Sequence, residues 1–245
     1  MSPEPVRIAM WSGPRNISTA MMRSFGQRTD TAVVDEPFYA AYLAASGELH
    51  PMREEVLASQ PQDWRAVVKA LLGPIPGGCA LYYQKHMTQH MLPGFGREWM
   101  SEVRNAFLIR DPQAVLASYV RARGVARLAD IGIVQQREMF DREADRLGSA
   151  PPVVEGNDML ARPGHMLQRL CAALGIPYTD AMLEWPAGER PTDGIWAPAW
   201  YDAVERSTGF AAPPPPELKR LPDELQRVAD AAMPHYQVLA AHRLA

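Results

Sequence analysis

Short apolar runs alternating with segments of helical period restrict this chain more than any other feature. Residues 6–11 read Val6-Arg7-Ile8-Ala9-Met10-Trp11. That run is short for a helix, and it is followed by the turn composition Ser12-Gly13-Pro14-Arg15-Asn16, so it reads as a buried strand. Residues 17–27 then place Ile17, Met21, Met22 and Phe25 at helical spacing. The same reasoning predicts strands at 31–35, 79–84, 106–109 and 152–155, and helices at 64–72, 112–122 and 162–174. Pro112 and Pro163 suit the first turns of their helices, and Gly175 stops the last of these. Strand–helix alternation of this kind predicts an α/β fold of three layers, with a central, mostly parallel sheet flanked by helices.

Two regions depart from the alternation. Residues 123–148 are rich in Arg, Asp and Glu and read as surface helices able to pack over a cleft. Residues 185–222 carry Trp185, Trp196, Trp200 and many prolines, and read as a mostly irregular lid or loop segment. Within it, Pro213 to Pro216 predict a stiff extended piece. Residues 223–243 predict a final amphipathic helix with a kink at Pro234. No internal repeat or boundary stands out, so residues 1–245 are expected to form one domain.

Composition removes several classes of function. Of 245 residues, 47% are apolar and 22% charged, which excludes a wholly disordered chain. The net charge of −3 lacks the basic excess of a nucleic-acid partner. No run of 18 apolar residues occurs, so no membrane span is expected. The N-terminus, Met1-Ser2-Pro3-Glu4-Pro5-Val6, has neither the basic start nor the apolar stretch of a signal peptide. With Cys79 and Cys171 alone, no disulfide framework or cysteine-built zinc site is expected, and a cytoplasmic location fits.

Two segments carry chemistry. The loop between the first strand and helix presents free amides at the positive end of a helix dipole. Arg15 adds a charge that can fork two anion oxygens, and Ser18 and Thr19 add hydroxyl donors. The nucleoside-triphosphate form of such a loop needs Gly-x-x-x-x-Gly-Lys-Ser/Thr. Ser18 stands where the second glycine would be, and no lysine follows. That counts against a magnesium-dependent kinase or ATPase. The second segment ends the fourth strand at Arg110-Asp111-Pro112, with Ser118 eight residues beyond Arg110. A residue at a strand's carboxyl end faces the crevice where open α/β sheets bind ligands.

Taken together, Gly13-Pro14-Arg15-Asn16-Ile17-Ser18-Thr19 and Phe107-Leu108-Ile109-Arg110-Asp111-Pro112 with Ser118 resemble the sulfotransferase family. The resemblance implies a P-loop-like fold and 3′-phosphoadenosine 5′-phosphosulfate (PAPS) as sulfuryl donor, with no metal required. It implies that Arg15, Asn16, Ile17, Ser18 and Thr19 grip the 5′-phosphosulfate, and that Arg110 and Ser118 grip the 3′-phosphate. Bacterial members commonly read Pro-Arg-Ser-Gly-Thr-Thr in the first loop. Here Asn16 and Ile17 replace the usual Ser and Gly, and glycine's backbone freedom is lost there. Asp193-Gly194-Ile195-Trp196, with Arg190 nearby, corresponds to the loop that closes over the nucleotide.

Sulfuryl transfer also needs a base for the acceptor proton. Several branches of the family place a catalytic glutamate where Glu36 ends the second strand, and Asp35 is its neighbour. Lys85 at the end of the third strand could neutralise charge on the leaving oxygen, with His86 a second candidate base and His90 a weaker one. Strand alternation sets Lys85 and His86 on opposite faces. Trp196, Trp200, Tyr201 and Phe210 would line an acceptor pocket or a plain core. The expected activity is sulfuryl transfer to a hydroxyl or amine of a small molecule, with a homodimer left open. The alternatives are a phosphotransferase of the same fold and a non-catalytic nucleotide-binding protein.

Overall fold

A computed structural model of the chain describes residues 5–123, 126–212 and 221–245. Five strands form one sheet: β1 (Val6–Ser12), β2 (Thr31–Asp35), β3 (Leu81–Met87), β4 (Arg104–Ile109) and β5 (Val153–Glu155). Their spatial order is β2-β3-β1-β4-β5, and every pairing is parallel. The register aligns the carboxyl ends that matter. Ser12 of β1 lies opposite Met87 and Leu108, and Asp35 of β2 lies opposite Lys85.

Helices cover both faces. On the chain they are α1 (Ser18–Phe25), α2 (Tyr39–Ser46), α3 (Arg53–Ser59), α4 (Trp64–Leu72), α5 (Pro112–Arg123), α6 (Leu128–Ile131), α7 (Ile133–Leu147), α8 (Gly156–Ala161), α9 (Pro163–Ala173), α10 (Ala197–Trp200), α11 (Asp202–Glu205) and α12 (Asp223–Ala240). Alternate strand residues feed two separate cores, as the two-residue period of a strand requires. Ile8, Met10, Tyr83 and Leu108 pack with Phe25 of α1 and Leu170 of α9. Ala9, Trp11, Tyr82 and Phe107 pack on the other side with Leu116 of α5, Phe140 of α7 and Leu225 of α12. Because both faces are covered, the strands read as continuous apolar runs, which is why they were legible as strands.

One expectation is corrected. Residues 133–147 are not a purely superficial helix. Gln136 of α7 is buried and donates to the carbonyls of Trp11 (3.1 Å) and Leu108 (2.9 Å). Glu143, also buried, accepts from Asn105 Nδ2 at 2.9 Å, and Asn105 in turn accepts from the Trp11 indole at 2.8 Å. The polar composition of α7 therefore satisfies the sheet's own polar groups. The expected final helix is α12, with Pro234 inside it. The region expected to be mostly irregular is so where it is described, apart from α10 and α11. The proline run Pro213 to Pro216 lies outside the described residues. Among the described residues, no helix is long and apolar enough to cross a membrane.

Candidate functional site

The loop between β1 and α1 is a shaped turn. Arg15 (φ 61°) and Ile17 (φ 55°) both take the left-handed conformation. Left-handed residues in such a loop turn successive amides into a concavity that anions fill. Ile17 thus adopts the backbone region that glycine favours, at a cost of order 1–2 kcal/mol for a side chain bearing Cβ. It also precedes α1 without a side-chain cap, and the first turn of α1 holds no acidic residue. The amide end of that helix is open to an anion. By contrast, Asp63 caps α4 and Glu155 caps α8. Gly13 is needed for packing: a Cβ there would stand 2.4 Å from the carbonyl oxygen of Ile131.

The two anion segments meet. Arg15 Nε donates to Ser118 Oγ at 3.0 Å, and Arg110 Nη1 donates to the Arg15 carbonyl at 2.9 Å. Asn16 faces inward and donates to the Leu108 carbonyl at 3.0 Å, fastening the loop to the end of β4. Parallel pairing of β1 with β4 brings these residues together from about a hundred positions apart.

Beside them sits a buried charge cluster. Lys85 Nζ, 1% exposed, donates to Asp35 Oδ1 (2.8 Å), Glu36 Oε1 (2.7 Å) and Tyr201 Oη (2.6 Å). Those three bonds use all three hydrogens of the ammonium. Tyr201 donates to Asp35 Oδ2 at 2.6 Å, and the Gly194 amide donates to the same oxygen at 3.0 Å. Burial alone would depress Lys85, but Asp35 and Glu36 hold it well above its ordinary value. Burial raises Glu36, and the neighbouring Asp35 charge adds to this against the opposing pull of Lys85. Two carboxylates share one ammonium, so one of them holds a proton more readily than a free glutamate does. Glu36 is also a non-glycine residue at positive φ (36°), the kind of backbone strain that persists where surrounding contacts over-determine it.

A cleft of about 390 Å³ joins these parts. Arg15, Asn16, Ile17, Ser18 and Thr19 line it from the first loop. Glu36, Lys85, Arg110 and Ser118 line it from the strand ends and α5. Asp35 is sealed behind Lys85 and Tyr201 and is not in the lining. Trp200, Tyr201 and Phe210 line the cleft, whereas Trp196 is core, 1% exposed. Tyr201 was foreseen as a pocket-wall or plain core residue; its bonds to Lys85 and Asp35 carried no sequence signal. Asp193 is held by Arg23 at 2.6 Å, so the 193–196 turn is fastened to α1 rather than standing free.

His86 is the predicted site residue that the structure sets apart. It points to the other face of the sheet, stacks on Trp11 (4.3 Å between ring centres) and places Nε2 3.2 Å from Gln84 Oε1. Burial pushes its pKa down to about 3. The alternation that aims Lys85 into the cleft aims its neighbour into the core, and this corrects His86 as a candidate base. His90, from the turn beyond β3, does line the cleft. It too is buried, and burial lowers its pKa well below the ordinary value. Both rings are neutral when folded and titrate near 6.5 when unfolded. Below that pH the unfolded chain binds more protons. Each ring should therefore cost roughly 1 kcal/mol of stability per pH unit as the pH falls, for His86 down to about pH 3. Urea unfolding at pH 7 and pH 5 checks this. The His86→Phe variant should lose part of the slope, and an unchanged slope would show that His86 is not held neutral.

The description "Sulfotransferase domain" belongs to the family whose sequence pattern matches residues 6–243. Branched-chain-amino-acid aminotransferase-like protein 1 of Arabidopsis thaliana is 36% identical over 240 residues, covering 98% of this chain and 42% of that protein. The chain therefore spans about two-fifths of the length of the curated relatives it matches. The sulfotransferase domain from the curacin biosynthetic pathway shares the fold, with a TM-score of 0.55 at 17% identity over 95% of this chain and 99% of that one. The sulfotransferase from Alicyclobacillus acidocaldarius does so with a TM-score of 0.52 at 13% identity, over 99% and 98% of the two chains. The matched span takes in all five strands, the first loop, the Arg110–Ser118 segment and the Lys85 cluster, and the chain belongs to the sulfotransferase domain family.

Proposed function

We propose that this protein moves a sulfuryl group from PAPS to a hydroxyl or amine of a small-molecule acceptor. One observation carries the reading: Arg15, Arg110 and Ser118 are joined by hydrogen bonds in a cleft that also holds Glu36. The donor set suits an anionic nucleotide with two phosphate positions, since it combines two guanidinium groups, three hydroxyls and an uncapped helix end.

When bound, PAPS supplies a sulfuryl group whose bond to phosphate oxygen breaks as the acceptor atom bonds to sulfur. Arg15, Ser18, Thr19 and the first amides of α1 bind the 5′ end. Arg110 and Ser118 bind the 3′-phosphate. Glu36 takes the proton of the acceptor at its carboxylate. Lys85 has no hydrogen left to give, so it acts through its charge: it orients Glu36 and offsets negative charge nearby. Ile17 reaches the left-handed backbone region that glycine favours, which supports a loop able to cup an anion, and the loop lacks the lysine of a nucleoside-triphosphate site. Free thiols at Cys79 and Cys171 fit a cytoplasmic location.

Calorimetric titration with 3′-phosphoadenosine 5′-phosphate, without magnesium and with ATP as control, tests the reading. Micromolar binding is expected, with ATP about tenfold weaker or worse. Arg15→Ala and Arg110→Ala should each weaken binding by about 2 kcal/mol, roughly 30-fold, because each leaves a phosphate without a charged donor. Absence of binding by the native protein would sink the proposal.

A further inference from the structure

We propose that the turn at residues 190–196 buttresses the base instead of closing over the nucleotide. Asp193 and Gly194 of the turn, with Arg23 of α1, are positioning residues. They hold Asp35 as the charged partner of Lys85 and leave Glu36 as the carboxyl that takes the proton. This deepens the function proposed above and rests on it.

The turn is tied to α1 on one side and to Asp35 on the other. Among the described residues, those of the turn are absent from the cleft lining. Arg23 and Asp193 pair at 2.6 Å with side chains 2% and 5% exposed. Arg23 also donates to the Gly188 carbonyl at 3.1 Å, and the Arg190 amide donates to Asp193 Oδ2 at 2.8 Å. The amide of Gly194, the residue after Asp193, donates to Asp35 Oδ2 at 3.0 Å. Gly194 has no room for a side chain: a Cβ there would stand 2.1 Å from the Trp196 indole. That indole is buried, and its Nε1 donates to Tyr201 Oη at 3.2 Å. The turn thus reaches Asp35 twice, directly through Gly194 and indirectly through Trp196 and Tyr201.

These bonds divide the two carboxylates that share Lys85. Asp35 collects three donors within 3.0 Å: the ammonium, the phenol and the Gly194 amide. Glu36 has the ammonium at 2.7 Å, with a weaker pull from Tyr201. Hydrogen bonds to a carboxylate favour its charged form, so the charge of the pair sits on Asp35, and a proton taken up by the pair goes to Glu36. A base needs that arrangement here, because Glu36 lines the cleft and Asp35 does not. Asp35, Lys85 and Tyr201 are the charged and titratable groups facing Glu36. His90 faces Lys85 as a neutral ring, and Asp193 stands behind Asp35 with Arg23. Slackening the turn removes a donor from Asp35. Asp35 then shares the proton and pushes less on Glu36, whose carboxyl moves back towards that of an ordinary glutamate.

The test uses the isotope-labelled full chain, read by NMR, with 3′-phosphoadenosine 5′-phosphate as the probe. Adding the bisphosphate to the native protein should shift the amides of Ser18 and Thr19 and leave that of Gly194 in place. A Gly194 shift as large as theirs would overturn the proposal. Asp193→Ala should lower the pH midpoint of the Glu36 carboxyl resonance while the bisphosphate affinity stays within about threefold of native. Asp193→Asn loses the same charge but keeps an oxygen for Arg23 and the Arg190 amide, so its Glu36 midpoint should stay close to native. Equal shifts in the two variants would mean that charge alone acts, and an unmoved midpoint in Asp193→Ala would mean that the turn does not act on Glu36. Either result overturns the proposal. So does a larger loss of bisphosphate affinity in Asp193→Ala, which would return the turn to the nucleotide. If the native protein does not bind the bisphosphate, the sulfotransferase reading fails, and the Glu36 titrations still decide the role of the turn. Should Asp193→Ala not fold, Gly194→Ala displaces the same amide and should give the same shift, and the native amide shifts decide in either case.

Discussion

Replacement of Lys85 by methionine should lower the stability of the protein by about 3–5 kcal/mol and abolish turnover. The magnitude follows from what the ammonium holds. Asp35 is buried, Glu36 nearly so, and the Tyr201 phenol is packed between them. Methionine matches the volume of the lysine stem but leaves two largely buried carboxylates without a counter-charge. Removing one partner of a buried ion pair is costly for that reason, far more so than losing a surface pair. Urea unfolding of the native and Lys85→Met proteins measures the difference. A loss below about 1 kcal/mol would mean that the cluster is effectively solvated. Adding Asp35→Asn and Glu36→Gln to the variant should restore part of the stability, because the uncompensated charges are then gone.

Glu36→Gln should reduce turnover by about 10²–10⁴-fold, the usual range for loss of a positioned base, with affinity for 3′-phosphoadenosine 5′-phosphate retained. Glutamine keeps the shape and a hydrogen-bonding oxygen for Lys85 but cannot take a proton. The pH profile supplies an independent check. Burial and Asp35 raise the Glu36 carboxyl, so it becomes protonated at a higher pH than a free glutamate. Activity must therefore fall on the acid side at a pH above the ordinary value of about 4.3, and this limb should vanish from the residual activity of Glu36→Gln. Steady-state rates from pH 4 to pH 8 decide it. Turnover that survives the substitution would move the role of base to His90, since Asp35 and His86 do not line the cleft.

The strands were legible because their signal is local: a strand buried on both faces needs a continuous apolar run, and the Val6, Thr31 and Phe107 segments supply one each. The first loop was legible for a similar reason, since a strand, a Gly-Pro-Arg turn and a helix start lie within consecutive residues. Even the divergence of Lys85 and His86 followed from the two-residue period. Other features had no such local signal. Tyr39–Ser46 is apolar without a clear period, so α2 could not be told from a buried strand. The bond between Tyr201 and Asp35 spans 166 residues and arises in a segment with no regular period to fix its register. His90 becomes distinctive only once two tyrosines from another element enclose it. Gly13 is required by the Ile131 carbonyl, far along the chain. Backbone period and turn chemistry act between neighbours, so the amino-acid sequence by itself determined the layers and the anion loop. Which distant side chains share a buried charge depends on how parallel strands order themselves in the sheet, so the Lys85 cluster and the wall around His90 were decided by tertiary packing alone.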